Sequence, residues 1–412
     1  MKKRILIVLP CISQANGVSS YALNYYKRLN HSLIHMDFLV MKKSEKQCYE
    51  TILKENSKVY ELIKGNESFF DYIKRIDMFF KENASNYDVI HCHVYNSGAF
   101  VLRSAKKYGI KKRILHSHAT ISSDVLSHRI INSFLIPLSR AYATDYFACS
   151  DLAGKFLFRN KKFKIVNNAI EIEKYKFNNA IRNEIRRELN IENCFVIGNV
   201  GRLCAQKNQI FLLKIFKKIK DKMDNAKLII IGDGNLENRL KSFVEKNKMN
   251  DSVVFLGARN DVEKIYNAID VFCLTSLYEG LPVVGIEAQC NGLPCVFSEN
   301  ITKEVKTSSK VEFVALKNNV DEWADKILKY KNNTERNENI SEKYDIDKEC
   351  FELQKLYMEI WLRKGKNYDI FWNNYTFISV KHTVSSNKYF FEEKNISCNI
   401  IFIISSCGWV KK

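Results

Sequence analysis

The chain is punctuated by short apolar runs that do not alternate with polar residues. RILIVLP (4–10), MDFLVM (36–41), DVIHCH (88–93), RILHSH (113–118), DYFACS (145–150) and FKIVNN (163–168) are the first six. A strand buried on one face alternates, whereas one buried on both faces reads as a nearly continuous apolar run. Helix-like spacing near 18–30, 69–83, 97–108 and 128–142 separates these runs, which predicts a parallel sheet covered on both sides. After the polar stretch 171–192 the pattern restarts with CFVIGNVG (194–201), AKLIIIGDG (226–234), SVVFLG (252–257), DVFCLTS (270–276), LPCVFS (293–298) and EFVAL (312–316). With 412 residues, the chain is also too long for one ordinary core. The expected fold is α/β: two Rossmann-like doubly wound parallel-sheet domains facing a cleft. The expected boundaries are 1–168 and 193–335, joined by a linker at 169–192. Helices over 336–362 should pack back on the first domain, and 363–412 forms a tail without clear periodicity or catalytic role.

Charge divides the chain unequally. Residues 1–170 hold 27 Lys/Arg against 13 Asp/Glu, and the whole chain carries +19. A basic first half points to an anionic partner, a membrane surface or a nucleic acid. Within it, residues 99–164 hold 13 basic against 3 acidic side chains, and RSAKKYGIKKR and FRNKKFK interleave them with apolar residues suited to anionic headgroups. No aromatic RNA-binding motif accompanies the charge, so a nucleic-acid binder is the rival reading, not the favoured one. The 12 cysteines contain no CxxC pair, and several sit in apolar strand-like runs. Reduced, buried thiols and a cytoplasmic protein are therefore expected. MKKRILIVLP turns polar too soon for a signal peptide. The longest apolar stretches are IINSFLIPL, interrupted by Pro137, and NISCNIIFIISSCGWV (395–410), and both fall short of the ~20 residues of a span. NIIFIISS suits an edge strand, a membrane-touching patch or an aggregation-prone run.

Doubly wound sheets bind ligands beyond the carboxyl ends of their strands, so the residues there carry the chemistry. In SLYEGLPVVGIEAQCNG, Pro282 suits a helix start, Gly292 its C-terminal cap, and Pro294 its end. Such a helix presents unpaired N–H groups near Val283 and Val284 to a phosphate. Glu279 and Glu287 then flank the ligand, and carboxylates accept well from vicinal hydroxyls. Gly201-Arg202 follows the first strand of the second half, with Lys207 five residues on; two cations there can neutralise a diphosphate without metal. Gly232-Asp233-Gly234 suits a nucleotide-binding turn and a plain structural one equally.

GRLCAQKN, IIGDGNLENRL and EGLPVVGIEAQCNGLPCV, in this order and spacing, resemble the C-terminal half of retaining nucleotide-sugar glycosyltransferases of family 4, of the bacterial capsular and exopolysaccharide type. The resemblance implies the GT-B fold and a metal-independent hexosyltransferase using a nucleotide sugar, UDP-linked by expectation. It places Arg202 and Lys207 on the donor diphosphate, Glu279 on the donor sugar, and Glu287 on the ribose. Gly201 and the backbone at Gly280, Leu281 and Val283 would lie alongside. In the first half, Gly17 of CISQANGVSS would bring a helix N-terminus near donor or acceptor, and His118 would lie near the reacting sugar. VNNAIEIEKY resembles the family's inter-domain segment, with Ala169 where a glycine is usual. The implied partners are the donor, a lipid-linked glycan acceptor and an anionic membrane surface at its inner face, with no nucleic acid and no cofactor. A nucleotide-sugar epimerase on the same fold is the nearest alternative. His91-Cys92-His93 and His116-Ser117-His118 also allow a zinc site, since alternate strand residues share a face. The expectation is nonetheless that no metal is used. Asp345-Ile346-Asp347 is read as a solvated first helical turn.

Overall fold

The computed structural model describes residues 2–13, 16–122, 125–317, 319–333, 335–336 and 342–362, with the backbone of six short strands between 368 and 410. Residues Met1–Phe351 form one compact unit and Glu352–Lys412 a second.

The first unit contains two sheets. One has seven parallel strands: β1 (Lys3–Leu9), β2 (Ile34–Val40), β3 (Val59–Glu61), β4 (Val89–Cys92), β5 (Lys112–Ser117), β6 (Asp145–Ala148) and β7 (Lys164–Ile165), in the order β3-β2-β1-β4-β5-β6-β7. The other has six: β8 (Phe195–Val200), β9 (Ala226–Ile231), β10 (Val253–Gly257), β11 (Val271–Leu274), β12 (Cys295–Ser298) and β13 (Val311–Val314), in the order β10-β9-β8-β11-β12-β13. In both, the strand order reverses beside the first strand, which opens a crevice at the carboxyl ends of the central strands. Burial follows from the sequence: all six residues of β8 and all four of β4, β11 and β12 are buried. β3 is the one strand of these sheets that the apolar runs did not announce. Its residues are half-buried or exposed, so it carries no apolar run to read.

The segment between the sheets is not a bare linker. Helices Ile172–Tyr175 and Asn179–Glu188 occupy it, and Arg182 and Arg186 fork onto the carboxylate of Asp270 at 2.6 Å each. Ala169 is buried and has no positive φ, so the turn at Asn167–Ala169 does without the glycine usual there. Residue 345 returns to pair with Ile170. Just beyond it Asp347 meets Arg28, and Glu349 accepts from the Asn167 N–H at 3.0 Å. Asp347 is half-exposed at the start of helix Ile346–Leu362, as expected of a solvated first turn.

Helix Leu126–Tyr142 covers the helical stretch expected near 128–142 and contains Pro137. Among the described residues, no helix is long and apolar enough to cross a membrane, and the ten described cysteines form no disulfide with one another.

The second unit holds two antiparallel sheets: β14 (Tyr368–Asn373) with β15 (Thr376–Lys381), and β16 (Thr383–Ser385), β17 (Lys388–Glu392), β18 (Ile401–Ser405) and β19 (Gly408–Val410) in that order. β18, from NIIFIISS, pairs on both sides, so it is an interior strand and not an edge. Of the stretch 395–410, residues 395–400, 406 and 407 lie outside the described residues.

Candidate active site

The cleft of the first unit, about 1530 Å3, is lined from both sheets. Gly17 and His118 border it from the first half; Gly201, Arg202, Lys207, Glu279, Gly280, Leu281, Val283 and Glu287 do so from the second. All ten residues singled out from the sequence therefore meet one cavity.

Helix Val283–Cys290 forms the centre of one wall. Pro282 precedes its first turn, in extended backbone, instead of lying inside it. Gly292, at φ +74°, closes its far end as the left-handed cap. The N–H groups of Val283 and Val284 have no acceptor among the described residues, leaving an anion-receptive helix end at the cleft.

Glu279 is not a free carboxylate. It is buried, and Lys207 Nζ lies 2.5 Å from its Oε1, with the Ser276 hydroxyl donating at 2.8 Å and Gln206 Nε2 at 3.3 Å. The sequence separated these residues by 72 positions and gave no sign of the pairing. Arg202, by contrast, is exposed and makes no side-chain bond among the described residues, so its guanidinium is open to an anion. The loop that presents it is braced by Gly232-Asp233-Gly234. Leu203 N–H donates to the Asp233 carbonyl at 2.7 Å, and both glycines have positive φ and lie where a Cβ would strike the backbone of 201–203. The structure thus gives this turn a supporting position.

Glu287, half-buried, accepts hydrogen bonds from Tyr266 at 2.8 Å and Tyr175 at 3.1 Å. Burial raises its pKa above the ordinary carboxylate value, and the two phenols only partly offset that. Neither tyrosine was foreseen; Tyr175 comes from the inter-sheet segment and Tyr266 from the helix before β11.

Gly280 lines the cleft, as expected of a residue alongside the donor. Its backbone also approaches protein closely: a Cβ at 280 would sit 2.5 Å from the His118 carbonyl oxygen. Ser150 also donates to the Gly280 carbonyl at 3.4 Å, and Asn168 Nδ2 to that of Leu281 at 3.1 Å. The Glu279–Leu281 loop is thus one place where the two halves of the unit touch.

The two HxH pairs form a ladder on adjacent strands. His91 Nε2 lies 3.0 Å from His116 Nδ1, and His93 Nδ1 lies 2.8 Å from His118 Nε2. Burial lowers the pKa of all four; His118 falls to about 3, with the nearby Asn168 side chain working the other way. They are therefore neutral imidazoles at pH 7. His91, His93 and His116 bring ligand atoms within 4.8 Å of one another, and His116 Nε2 is buried without a partner. The facing nitrogens of His91/His116 and of His93/His118 pair with one another across the two strands, which leaves His116 Nε2 over.

Gly17 opens helix Gly17–Arg28, which Asn16 caps by accepting from Val18 and Ser19 N–H at 3.0 and 3.1 Å. No atom lies within 4 Å of where its Cβ would be, so the space faces the cleft.

Comparison with known proteins agrees with this architecture. The model for Glycosyltransferase Family 4 matches residues 15–174, and that for Glycosyl transferases group 1 matches residues 181–345. A putative glycosyltransferase EpsF of Bacillus subtilis (strain 168) is 28% identical over 338 residues, 80% of this chain and 88% of that protein. The UDP-Gal:alpha-D-GlcNAc-diphosphoundecaprenol alpha-1,3-galactosyltransferase of Escherichia coli is 28% identical over 68% of this chain and 77% of its own length. The capsular polysaccharide biosynthesis glycosyltransferase CapM of Staphylococcus aureus is 33% identical over 48% of this chain and 55% of its own length. Among solved structures, Anabaena Alr3699/HepE in complex with UDP and glucose superposes with a TM-score of 0.72 at 16% identity, over 86% of this chain and 99% of that one. Two family models matched in chain order, one to each side of the cleft, show that this chain belongs to the family 4 glycosyltransferases of the GT-B fold.

Proposed function

We propose that the chain is a retaining, metal-independent hexosyltransferase that takes a sugar from a UDP-linked donor and places it on a lipid-linked glycan acceptor. It would work at the inner face of the membrane, in the assembly of a surface polysaccharide. The observation that carries this reading is the convergence of Arg202, Lys207, Glu279 and Glu287 around the open N-terminus of helix Val283–Cys290. Relatives named for capsular polysaccharide and for a diphosphoundecaprenol acceptor support the setting, and a structural neighbour holding UDP and glucose supports the donor.

In this reading the acceptor hydroxyl oxygen attacks the anomeric carbon while the bond from that carbon to the β-phosphate oxygen breaks. The electron pair leaves with the diphosphate, and the acceptor's proton passes to the departing phosphate oxygen on the same face. Arg202, Lys207 and the Val283 and Val284 N–H groups take up the charge that develops there, which is the role a metal plays elsewhere. Glu279, held by Lys207 and Ser276, positions the donor hexose, and Glu287 the ribose hydroxyls. With a pKa of about 3, His118 is a poor base at neutral pH, so it orients the sugar through a neutral imidazole.

The test is product analysis with a panel of UDP-sugars and a lipid-diphosphate acceptor, with and without a chelator. The expected result is acceptor-dependent glycoside formation with the donor's anomeric configuration kept, unchanged by chelation. Sugar interconversion without acceptor, or loss of activity on chelation, would overturn it.

A further inference from the structure

Helix Leu126–Tyr142 is turned inside out. Leu126, Ile130, Phe134 and Leu138, spaced four apart, form an outward stripe 44–70% exposed, while polar Asn132 and Ser139 face inward and are buried. Asn132 donates to the Ser122 carbonyl and Ser139 to the Tyr95 carbonyl, so the polar face is committed to the protein. A water-facing helix has the opposite arrangement. The stripe is also not isolated. Of the thirteen large hydrophobic residues exposed among the described residues, nine lie on or beside this helix and helix Phe69–Asn83: Val125, Leu126, Ile130, Ile131, Phe134, Leu138, Phe69, Phe70 and Met78. Helix Gly98–Lys107 lies between the two, and Phe100 from it meets Phe69 edge-on at 5.4 Å. A patch of that kind on a monomer marks an interaction site.

We infer that this apolar face of the first half rests on an anionic lipid bilayer, with the helix Leu126–Tyr142 stripe as its insertion edge. Two observations select this occupant. First, helices Gly98–Lys107 and Leu126–Tyr142 carry five Lys/Arg and no Asp/Glu, while helix Phe69–Asn83 balances three acidic with three basic residues and its Asp77 pairs with Lys107; Arg103 and Lys64 make no ion pair among the described residues. Apolar residues bordered by cations match an anionic headgroup layer. A two-fold dimer through the same face would instead set those cations against their own copies. Second, the face is continuous with the cleft, because Phe69, Phe100, His128, Ile131 and Leu135 line both. An acceptor anchored in lipid would thus reach the cleft along the docked edge.

This assignment relocates the membrane contact expected from charge alone. In RSAKKYGIKKR and FRNKKFK, residues 111–113 and 161–164 fall at the amino ends of β5 and β7, the end of the sheet away from the cleft. Lys112 is buried there, and Arg113 donates to the Tyr142, Ile110 and Lys111 carbonyls. The apolar stripe marks the docking face, and of the basic runs only the helical part of the first, Arg103 to Lys107, accompanies it. The inference extends the lipid-linked-acceptor reading, yet its test needs neither donor nor acceptor, so the two can fail separately.

The experiment is co-sedimentation of the full chain with vesicles of phosphatidylglycerol and phosphatidylcholine in equal parts, and with phosphatidylcholine alone. Wild type should bind the anionic vesicles preferentially. The double variant Ile130→Ser/Phe134→Ser, outside the cleft lining, should bind at least about tenfold more weakly, the effect of removing two inserted apolar side chains. Its turnover on a water-soluble acceptor should be unchanged, which shows that it is folded. Absence of wild-type binding, undiminished binding by the variant, or a concentration-dependent dimer that the variant abolishes would each overturn the inference, the last in favour of a second copy.

Discussion

Lys207→Ala separates what the cleft does for stability from what it does for catalysis. In the structure Lys207 Nζ lies 2.5 Å from Glu279 Oε1, and the two side chains are only 14% and 9% exposed. Removing one member of a buried pair strands the other charge, at a cost of about 3–5 kcal/mol in a closed interior. Here Ser276 and Gln206 still donate to the carboxylate and the cleft admits water, so about 2–3 kcal/mol is expected, at or below the low end of that range. Urea unfolding should show this directly. Turnover should fall about 100- to 1000-fold, the effect of losing one preorganised charge opposite a leaving diphosphate. The double variant Lys207→Ala/Glu279→Gln removes the stranded charge as well. It should regain most of the stability and none of the turnover. A single variant with wild-type turnover, or a double variant no more stable than the single, would refute this account of the pair.

Three further outcomes follow from the geometry. Glu287→Gln should weaken UDP binding about tenfold or more, by titration calorimetry, while leaving the protein as stable or more so at pH 7. Because the folded-state pKa of Glu287 is raised, the native protein binds the extra proton between the unfolded and folded values. The wild type should therefore lose stability relative to the variant as pH rises through that interval. The histidine ladder has the opposite sign. Its pKa values are lowered in the fold, so stability is full above the unfolded value near 6.5 and is lost as pH falls, by up to about 1.4 kcal/mol per pH unit for each histidine; unfolding midpoints at pH 7 and 5.5 should differ accordingly. Gly280→Ala drives a Cβ toward the His118 carbonyl across the contact between the halves, so stability should drop by about 1–3 kcal/mol, with loss of activity. Wild-type melting of this variant would show that the loop yields freely.

Much of this molecule was legible because doubly wound sheets bury their strands on both faces. In the two parallel sheets every strand with a continuous apolar run was readable, and only β3, short and half-exposed, was not; in the second unit β18 alone was read as a strand, and β14–β17 and β19 were missed. The site was legible for a related reason: in such sheets function collects after the strands, so Arg202, Lys207, Glu279 and Glu287 stood out by position. Their partners did not. Glu279 with Lys207, and Glu287 with Tyr175 and Tyr266, are tertiary pairings between residues 21 to 112 positions apart, set by how strands stack and not by local spacing. Gly280 shows the same limit. Its need for no side chain was readable, but the atom that requires it belongs to the other half. Helix Leu126–Tyr142 misled in a third way. Its apolar residues have ordinary helical periodicity, and nothing local says that the apolar side faces outward.

The most direct measurement is calorimetric titration of UDP, and of a UDP-hexose, into wild type, Arg202→Ala and Glu287→Gln. Single-site binding that weakens in both variants, with an oligonucleotide showing none, is the result expected if one groove holds diphosphate at one end and ribose at the other. Nucleotide affinity untouched by either substitution would contradict it.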